Sequence, residues 1–284
     1  MTSDSIATLK SNRAQQLLSK VPEVSLYFWI IKILCTTVGE TFADFVNGKL
    51  GDNLNTTTAV MGSLLVVALI FQFRTSGYVP SIYWVTVVLI SVVGTLITDN
   101  MVSNFNVSLT TSSIIFAIAM LASFAIWYAS EKTLSVHTIY TNKREAFYWL
   151  SILFTFALGT ATGDLIAEKY SLGYFNSMLL FAGLIAVITL AHFKANLNAI
   201  LAFWAAYVLT RPLGASIGDL LAQPRKLEAG ADPAGFQAGL GLGTTVTSLI
   251  FLTAILAVIV FMTTQQRVAR AKSTQSKNAQ ATSA

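Results

Sequence analysis

The chain has 284 residues, 54% of them hydrophobic and 11% charged, with a mean hydropathy of +0.65. Soluble domains carry about 25% charged residues, so this composition excludes an ordinary soluble enzyme and a disordered chain alike. The net charge of +5 is placed as a membrane-topology signal rather than a nucleic-acid patch, and the single Cys35 excludes an intramolecular disulfide framework and any cysteine-cluster metal site.

In chain order, residues 1–22 form a polar tail without an apolar stretch, so no cleavable signal peptide is expected. Eight apolar stretches follow, at roughly 25–46, 57–73, 81–99, 111–130, 147–167, 177–193, 199–219 and 241–264. Each is long enough, at 1.5 Å per residue, to cross a hydrocarbon core of about 30 Å. Residues 23–264 therefore read as one transmembrane domain, and 265–284 as a second polar tail, expected to be disordered. If every span crosses, twelve Lys and Arg residues lie on the side of the two tails and four on the other, Lys49, Lys169, Arg225 and Lys226. That imbalance predicts that both termini of this multi-pass chain are cytoplasmic.

Four of the five tryptophans share one frame: Phe28-Trp29, Tyr83-Trp84, Tyr148-Trp149 and Phe203-Trp204. Ten residues after each stands Gly39, Gly94, Gly159 or Gly214, and fifteen after each stands Asp44, Asp99, Asp164 or Asp219. A tryptophan carries both partners by chance with probability of order 10⁻³, so the pattern defines a repeat. The units span about 23–77, 78–142, 143–197 and 198–264, with two spans each. Every copy enters from the same side, which predicts hairpin-like units related by an axis along the membrane normal, with the motif helices central. In both repeat count and motif, the chain resembles a family of bacterial membrane proteins built from four tandem two-span repeats, each with a characteristic tryptophan. The stretches that carry this are KVPEVSLYFWIIKILCTTVGETFADF, YWVTVVLISVVGTLITD, AFYWLSILFTFALGTATGD and FWAAYVLTRPLGASIGD. The resemblance covers about residues 20–264. It implies an all-α polytopic fold of eight helices in a bacterial inner membrane and, the family being largely uncharacterised in activity, no site residues.

Within the motif, Trp29, Trp84, Trp149 and Trp204 read as interfacial anchors. The glycines then lie about 15 Å deeper and the aspartates about 22 Å from the tryptophans, toward the opposite face. Each glycine has a small residue four positions on, a pattern that lets membrane helices pack closely. An ionised Asp costs about 2.5–3.5 kcal/mol at a bilayer centre, and the end of a helix dipole adds to that cost. Four such residues need a compensating partner. Either each accepts hydrogen bonds from the following loop, or together they line a cavity that binds cations or protons.

Other polar groups bear on that choice. Glu40 stands where the other copies have Thr95, Thr160 and Ala215. Thr36, Thr37, Thr41, Thr98, Thr155, Thr162, Thr210 and Ser216 offer neutral oxygens or bond to their own helices. This donor set suits Mg²⁺, Mn²⁺, Ca²⁺, Na⁺ or H⁺ better than a soft metal. Arg211, inside the seventh span, calls for a carboxylate partner, with Glu40 or an aspartate the candidates, and Pro212 predicts a kink or break there. Lys32 is expected to snorkel to the headgroups, His137 to be solvated, His192 to sit at an interface, and Gly239, Gly241 and Gly243 to form a flexible loop end.

The expected function is a permease, a secondary transporter or exporter of a small cation, either a divalent metal or a proton-coupled solute. Asp44, Asp99, Asp164, Asp219 and Glu40 would bind the cation and Arg211 would couple or gate. The alternative is a non-transporting scaffold or sensor whose aspartates are structural. No nucleophile–base arrangement and no cofactor motif is visible, so neither an enzyme nor a cofactor is expected. The partners expected are the bilayer and a small solute, not nucleic acid.

Overall fold

The computed structural model describes residues 19–225 and 238–282, so the first eighteen residues of the amino-terminal tail and the loop residues 226–237 lie outside it. Among the described residues, eight long helices follow in order: α1 Leu26–Lys49, α2 Leu54–Arg74, α3 Pro80–Asp99, α4 Leu109–Glu131, α5 Asn142–Asp164, α6 Tyr174–Ala195, α7 Ala199–Ala222 and α8 Gly243–Thr282. Their starts follow local chemistry. Ser25, Asn53, Ser108, Thr141 and Asn198 each accept a backbone N–H of the first turn, and Pro80 opens α3 where no donor is needed. All eight are long and apolar enough to cross a membrane, and the chain is a multi-pass membrane protein.

Burial separates the helices into two classes. The most apolar windows of α1, α3, α5 and α7 are 61–72% buried, against 6–22% for α2, α4, α6 and α8. The motif helices form a closed inner ring, α1 on α3, α3 on α5, α5 on α7 and α7 on α1. The other four lie outside and present Leu, Ile, Val and Phe to lipid.

The hairpin expectation is corrected in one respect. Each outer helix packs mainly on the inner helix of the next repeat: α2 on α3, α4 on α5, α6 on α7, and α8 back on α1. The loop after each inner helix carries the chain outward and forward round the ring, so α8 closes the circle. Ser248 Oγ and Thr41 Oγ1 meet at 3.0 Å across that closing seam.

The glycines make the inner seams. A Cβ on Gly39 would strike Ser91, one on Gly94 would strike Phe156, one on Gly159 would strike Arg211, and one on Gly214 would strike Thr36. In every case the neighbour is the residue seven after the tryptophan of the following repeat, so one contact recurs four times round a fourfold pseudo-axis.

Several local expectations change. The helices run past the aspartates: α1 continues to Lys49, and α3 and α5 continue as wider turns over Asn100–Asn104 and Leu165–Lys169. There Phe105 N donates to Asn100 O and Tyr170 N to Leu165 O, five residues back. α7 is unbroken through Pro212. The glycine run is not a flexible end, because Gly239, Leu240, Gly241 and Leu242 donate their N–H groups to Pro224, Leu220, Gln223 and Leu221, satisfying carbonyls at and just beyond the end of α7. α8 extends to Thr282 where a disordered tail is expected, the added stretch containing neither Gly nor Pro to stop it. The end of the amino-terminal tail is also packed: Ser19, Lys20 and Val21 are at most 8% exposed.

Candidate functional site

The inner helices carry a stripe of every fourth residue, starting just before the tryptophan and ending at the aspartate. On α1 it reads Phe28, Lys32, Thr36, Glu40, Asp44. Residues at this spacing share a helix face, and in the ring that face turns toward the axis. The stripe stacks the centre of the molecule into layers.

At the tryptophan end the axis is closed by aromatic rings. Phe28 packs on Trp84, Phe203 and Tyr207, and the hydroxyls of Tyr83 and Tyr148 hydrogen-bond to each other. The tryptophans themselves do not face lipid as anchors. Trp84, Trp149 and Trp204 are at most 5% exposed, and only Trp29 is partly accessible. Their indole N–H groups are bound by protein: Trp84 donates to Tyr78 Oη, Trp149 to Glu145 Oε1 and Trp204 to Leu134 O. An indole with an internal acceptor has no need of the headgroup region. Burial also pushes the Tyr78 phenol above its ordinary range, with the Trp84 hydrogen bond opposing. A buried pair seals the same end, with Lys20 Nζ 2.7 Å from Glu145 Oε2 and also donating to Phe73 O and Asn142 Oδ1.

One layer further in lies Lys32. It does not snorkel: the side chain is fully buried, its Nζ sits 3.8 Å from the Tyr207 ring centre and 4.2 Å from that of Phe156, and it donates to Thr210 Oγ1 at 3.1 Å. Two ring faces supply part of the stabilisation that water would give an ammonium group.

Arg211 then spans the axis. It is fully buried and reaches all three other inner helices. Nη1 donates to Thr36 O at 2.5 Å, and Nη2 donates to Glu40 Oε2 at 2.8 Å, to Thr160 Oγ1 at 2.7 Å and to Thr95 Oγ1. Glu40, Thr95 and Thr160 occupy one repeat position, eleven after the tryptophan. The fourth copy, Ala215, lies on the helix that bears the arginine. Three acceptors and one alanine are thus arranged round one guanidinium. This meets the expectation that Arg211 requires a carboxylate and identifies it as Glu40. A buried pair of this kind repays its desolvation only with full hydrogen bonding, which the two threonines help to supply.

Beyond Arg211 lie the carboxylates. Glu40 is 7% exposed and Asp219 8%, Asp99 and Asp164 are half-buried, and Asp44 is exposed, so this end opens outward. Oxygens of Glu40, Asp164 and Asp219 lie within 4.8 Å of one another, while Asp44 and Asp99 are not part of that group. Among the described residues no donor hydrogen-bonds to the side chain of Asp44, Asp99, Asp164 or Asp219, so none serves there as a loop-fixing acceptor. The other threonines mostly bond to their own helices, as Thr37 does to Ile33 O, Thr155 to Ile152 O and Thr162 to Leu158 O. His137 is exposed, and the His192 ring nitrogen Nδ1 meets Leu197 O at 2.8 Å near the end of α6.

Three groups escape sequence reasoning. Glu168 lies one turn beyond Asp164, bonded to Tyr174 Oη, and adds a sixth carboxylate to the mouth. Its spacing of four from Asp164 is the available signal. The burial of Lys32 is foreshadowed by its place on the stripe. Glu145 and Lys20 are 125 residues apart, and nothing local joins them.

A family model described as Repeat of Unknown Function (DUF347) matches the chain four times, over residues 27–78, 82–133, 147–197 and 202–267. No curated protein and no solved structure matches it. The four matches each contain one tryptophan–glycine–aspartate motif, and the chain belongs to this family, as four tandem copies of its repeat.

Proposed function

We propose that the protein is a permease, a secondary transporter or exporter that moves a small cation along the pseudo-fourfold axis, with both termini in the cytoplasm. The observation that carries this reading is the gathering of Glu40, Asp164 and Asp219 at one mouth of the ring, with Asp44 and Asp99 at the matching repeat position and no hydrogen-bond donor to any of the four aspartates among the described residues. Ionisable groups inside a membrane bundle are costly unless they serve a pathway or a bound ion. The opposite end carries the aromatic layer instead of carboxylates, so the two ends of the axis differ in chemistry. That asymmetry favours a transporter over a continuously open channel. Arg211, crossing the axis and held by Glu40, is the barrier that has to move.

Flux into proteoliposomes tests the reading. Wild-type protein is expected to carry a divalent cation or protons down an imposed gradient, and Asp44/Asp99/Asp164/Asp219→Asn is expected to insert equally and carry none. Equal flux in the two preparations overturns it.

A further inference from the structure

The axial layer at Arg211 says more about the ion than the acidic mouth does. Glu40 has two roles in the geometry: it is the ion-pair partner of Arg211 at 2.8 Å, and it is one corner of the triad with Asp164 and Asp219. The guanidinium is therefore in contact with the very carboxylate that a bound cation would use. It has no route to solvent, being fully buried, and its Nε has no acceptor among the described residues. Within the triad, Asp219 is more than nine-tenths buried and, among the described residues, without a hydrogen-bond donor, its oxygen lying within 4.8 Å of those of Glu40 and Asp164 where an ion would sit.

We infer that Arg211 is a tethered cation that competes with a hard divalent cation for Glu40, Asp164 and Asp219. The inference rests on the cation reading of this site and specifies its ligand. The charge argument is direct. Arg211 neutralises Glu40, so the triad with Asp164 and Asp219 ionised round a bound ion presents two negative charges, which one divalent ion balances and one monovalent ion does not. The donors are all oxygen, which selects a hard ion over a soft one. Three oxygens within 4.8 Å of one another place a common centre at most about 2.8 Å from each, a span that admits the roughly 2.3–2.6 Å of a calcium–oxygen bond. Drawing Glu40 onto the ion weakens its hold on Arg211. The ion and the guanidinium then repel each other, so binding is coupled to displacement of the axial barrier.

Competition predicts a pattern that a plain acidic ligand set does not. Binding is measured on purified full-length protein in detergent, by equilibrium dialysis with Ca²⁺, Mn²⁺ and Mg²⁺ against a background of Na⁺ at fixed ionic strength. Wild type is expected to bind a divalent ion, and Asp164→Asn/Asp219→Asn to lose it. Arg211→Gln is expected to bind more tightly, by about tenfold or more, since a neighbouring positive charge is gone. Glu40→Gln is expected to bind more weakly by a similar factor, because the released guanidinium turns to the aspartate pair. Adding Arg211→Gln to Glu40→Gln is expected to restore affinity to at least the wild-type value. If Arg211→Gln alone does not fold, the comparison of Glu40→Gln with the double variant decides, because both buried charges are removed together in the latter. No divalent binding by wild type overturns the proposal. So does an Arg211→Gln protein that folds without tighter binding, or a double variant no better than Glu40→Gln. Binding that follows the pattern while proteoliposomes carry no flux overturns the transport reading and leaves this one standing.

Discussion

Replacing the four seam glycines by alanine, against two control glycines, is the sharpest test of the ring. On Gly214 the new Cβ would lie 2.7 Å from Thr36 Cβ and 2.9 Å from the Thr36 carbonyl carbon. Ordinary carbon contacts are about 3.5–4.0 Å, so the α7–α1 seam must open by roughly 1 Å. On Gly94 the Cβ would lie 2.9 Å from Phe156 Cβ and 3.2 Å from Ala157 N, a somewhat milder conflict. Overpacking of this kind costs about 1–3 kcal/mol. Gly62 in α2 and Gly183 in α6 face open space, with nothing within 4 Å. Alanine there gains helix propensity of up to about 1 kcal/mol. Seam and control variants should therefore differ by about 2–4 kcal/mol, or roughly 5–15 °C in Tm for a chain of this size. Thermal unfolding in detergent, followed by tryptophan fluorescence, reads the difference. Gly39→Ala should also recover part of its loss when paired with Ser91→Gly, since the clash is mainly with the Ser91 side chain, its Cβ at 2.6 Å. Seam and control variants of equal stability would refute the interlocked ring.

Other outcomes follow from the same packing. Glu145→Gln should cost about 3–5 kcal/mol by leaving Lys20 buried without its counter-charge, whereas Lys20→Met/Glu145→Gln should cost less than Glu145→Gln alone; equal losses in the two would argue against a buried pair. Lys32→Met keeps the length of the side chain and removes a buried amine whose only hydrogen bond among the described residues is to Thr210, so stability should be unchanged or raised in thermal unfolding, and a loss beyond about 2 kcal/mol would mean that the ring contacts are net stabilising. Thr41→Cys/Ser248→Cys should form a disulfide on mild oxidation, because the native oxygens are 3.0 Å apart; no cross-link in the folded protein would place α8 elsewhere than on α1.

The sequence makes the architecture legible because the repeat is exact in frame: one tryptophan, one glycine and one aspartate at fixed spacing, four times. Eight spans follow from it, and central motif helices are an inference from it, but similar depth along four helices does not by itself bring the aspartates together. The partner of Arg211 is half legible. Its need for a carboxylate is a matter of desolvation, and Glu40 stands out as the one acidic residue at a position otherwise occupied by threonine or alanine. The packing of outer helices on the following repeat is not legible, because the spans of α2, α4, α6 and α8 are apolar over most of their surface and only scattered residues such as Ser112, Ser123, Ser177 and Ser248 mark the face turned inward. Tryptophan is a misleading signal for the same reason. Its ring suits an interface and a packed interior equally, and only the acceptor of the indole N–H, Tyr78, Glu145 or Leu134, decides between them.

The closing of the ring by its last helix has a consequence for how the protein is made. Glu40 enters the membrane on α1, but the guanidinium that pairs with it lies 171 residues later, and the helix that covers the outer side of α1 comes later still. At ribosomal rates of about 5–20 residues per second, α1 waits roughly 10–30 s with an intramembrane carboxylate and amine unmatched. During that interval the nascent chain is an open arc with one exposed polar edge, and it is the segment most dependent on the insertion machinery for shelter. Loss of α7 or α8 by truncation therefore strands the first helix, 200 residues away, rather than merely shortening the molecule by its end.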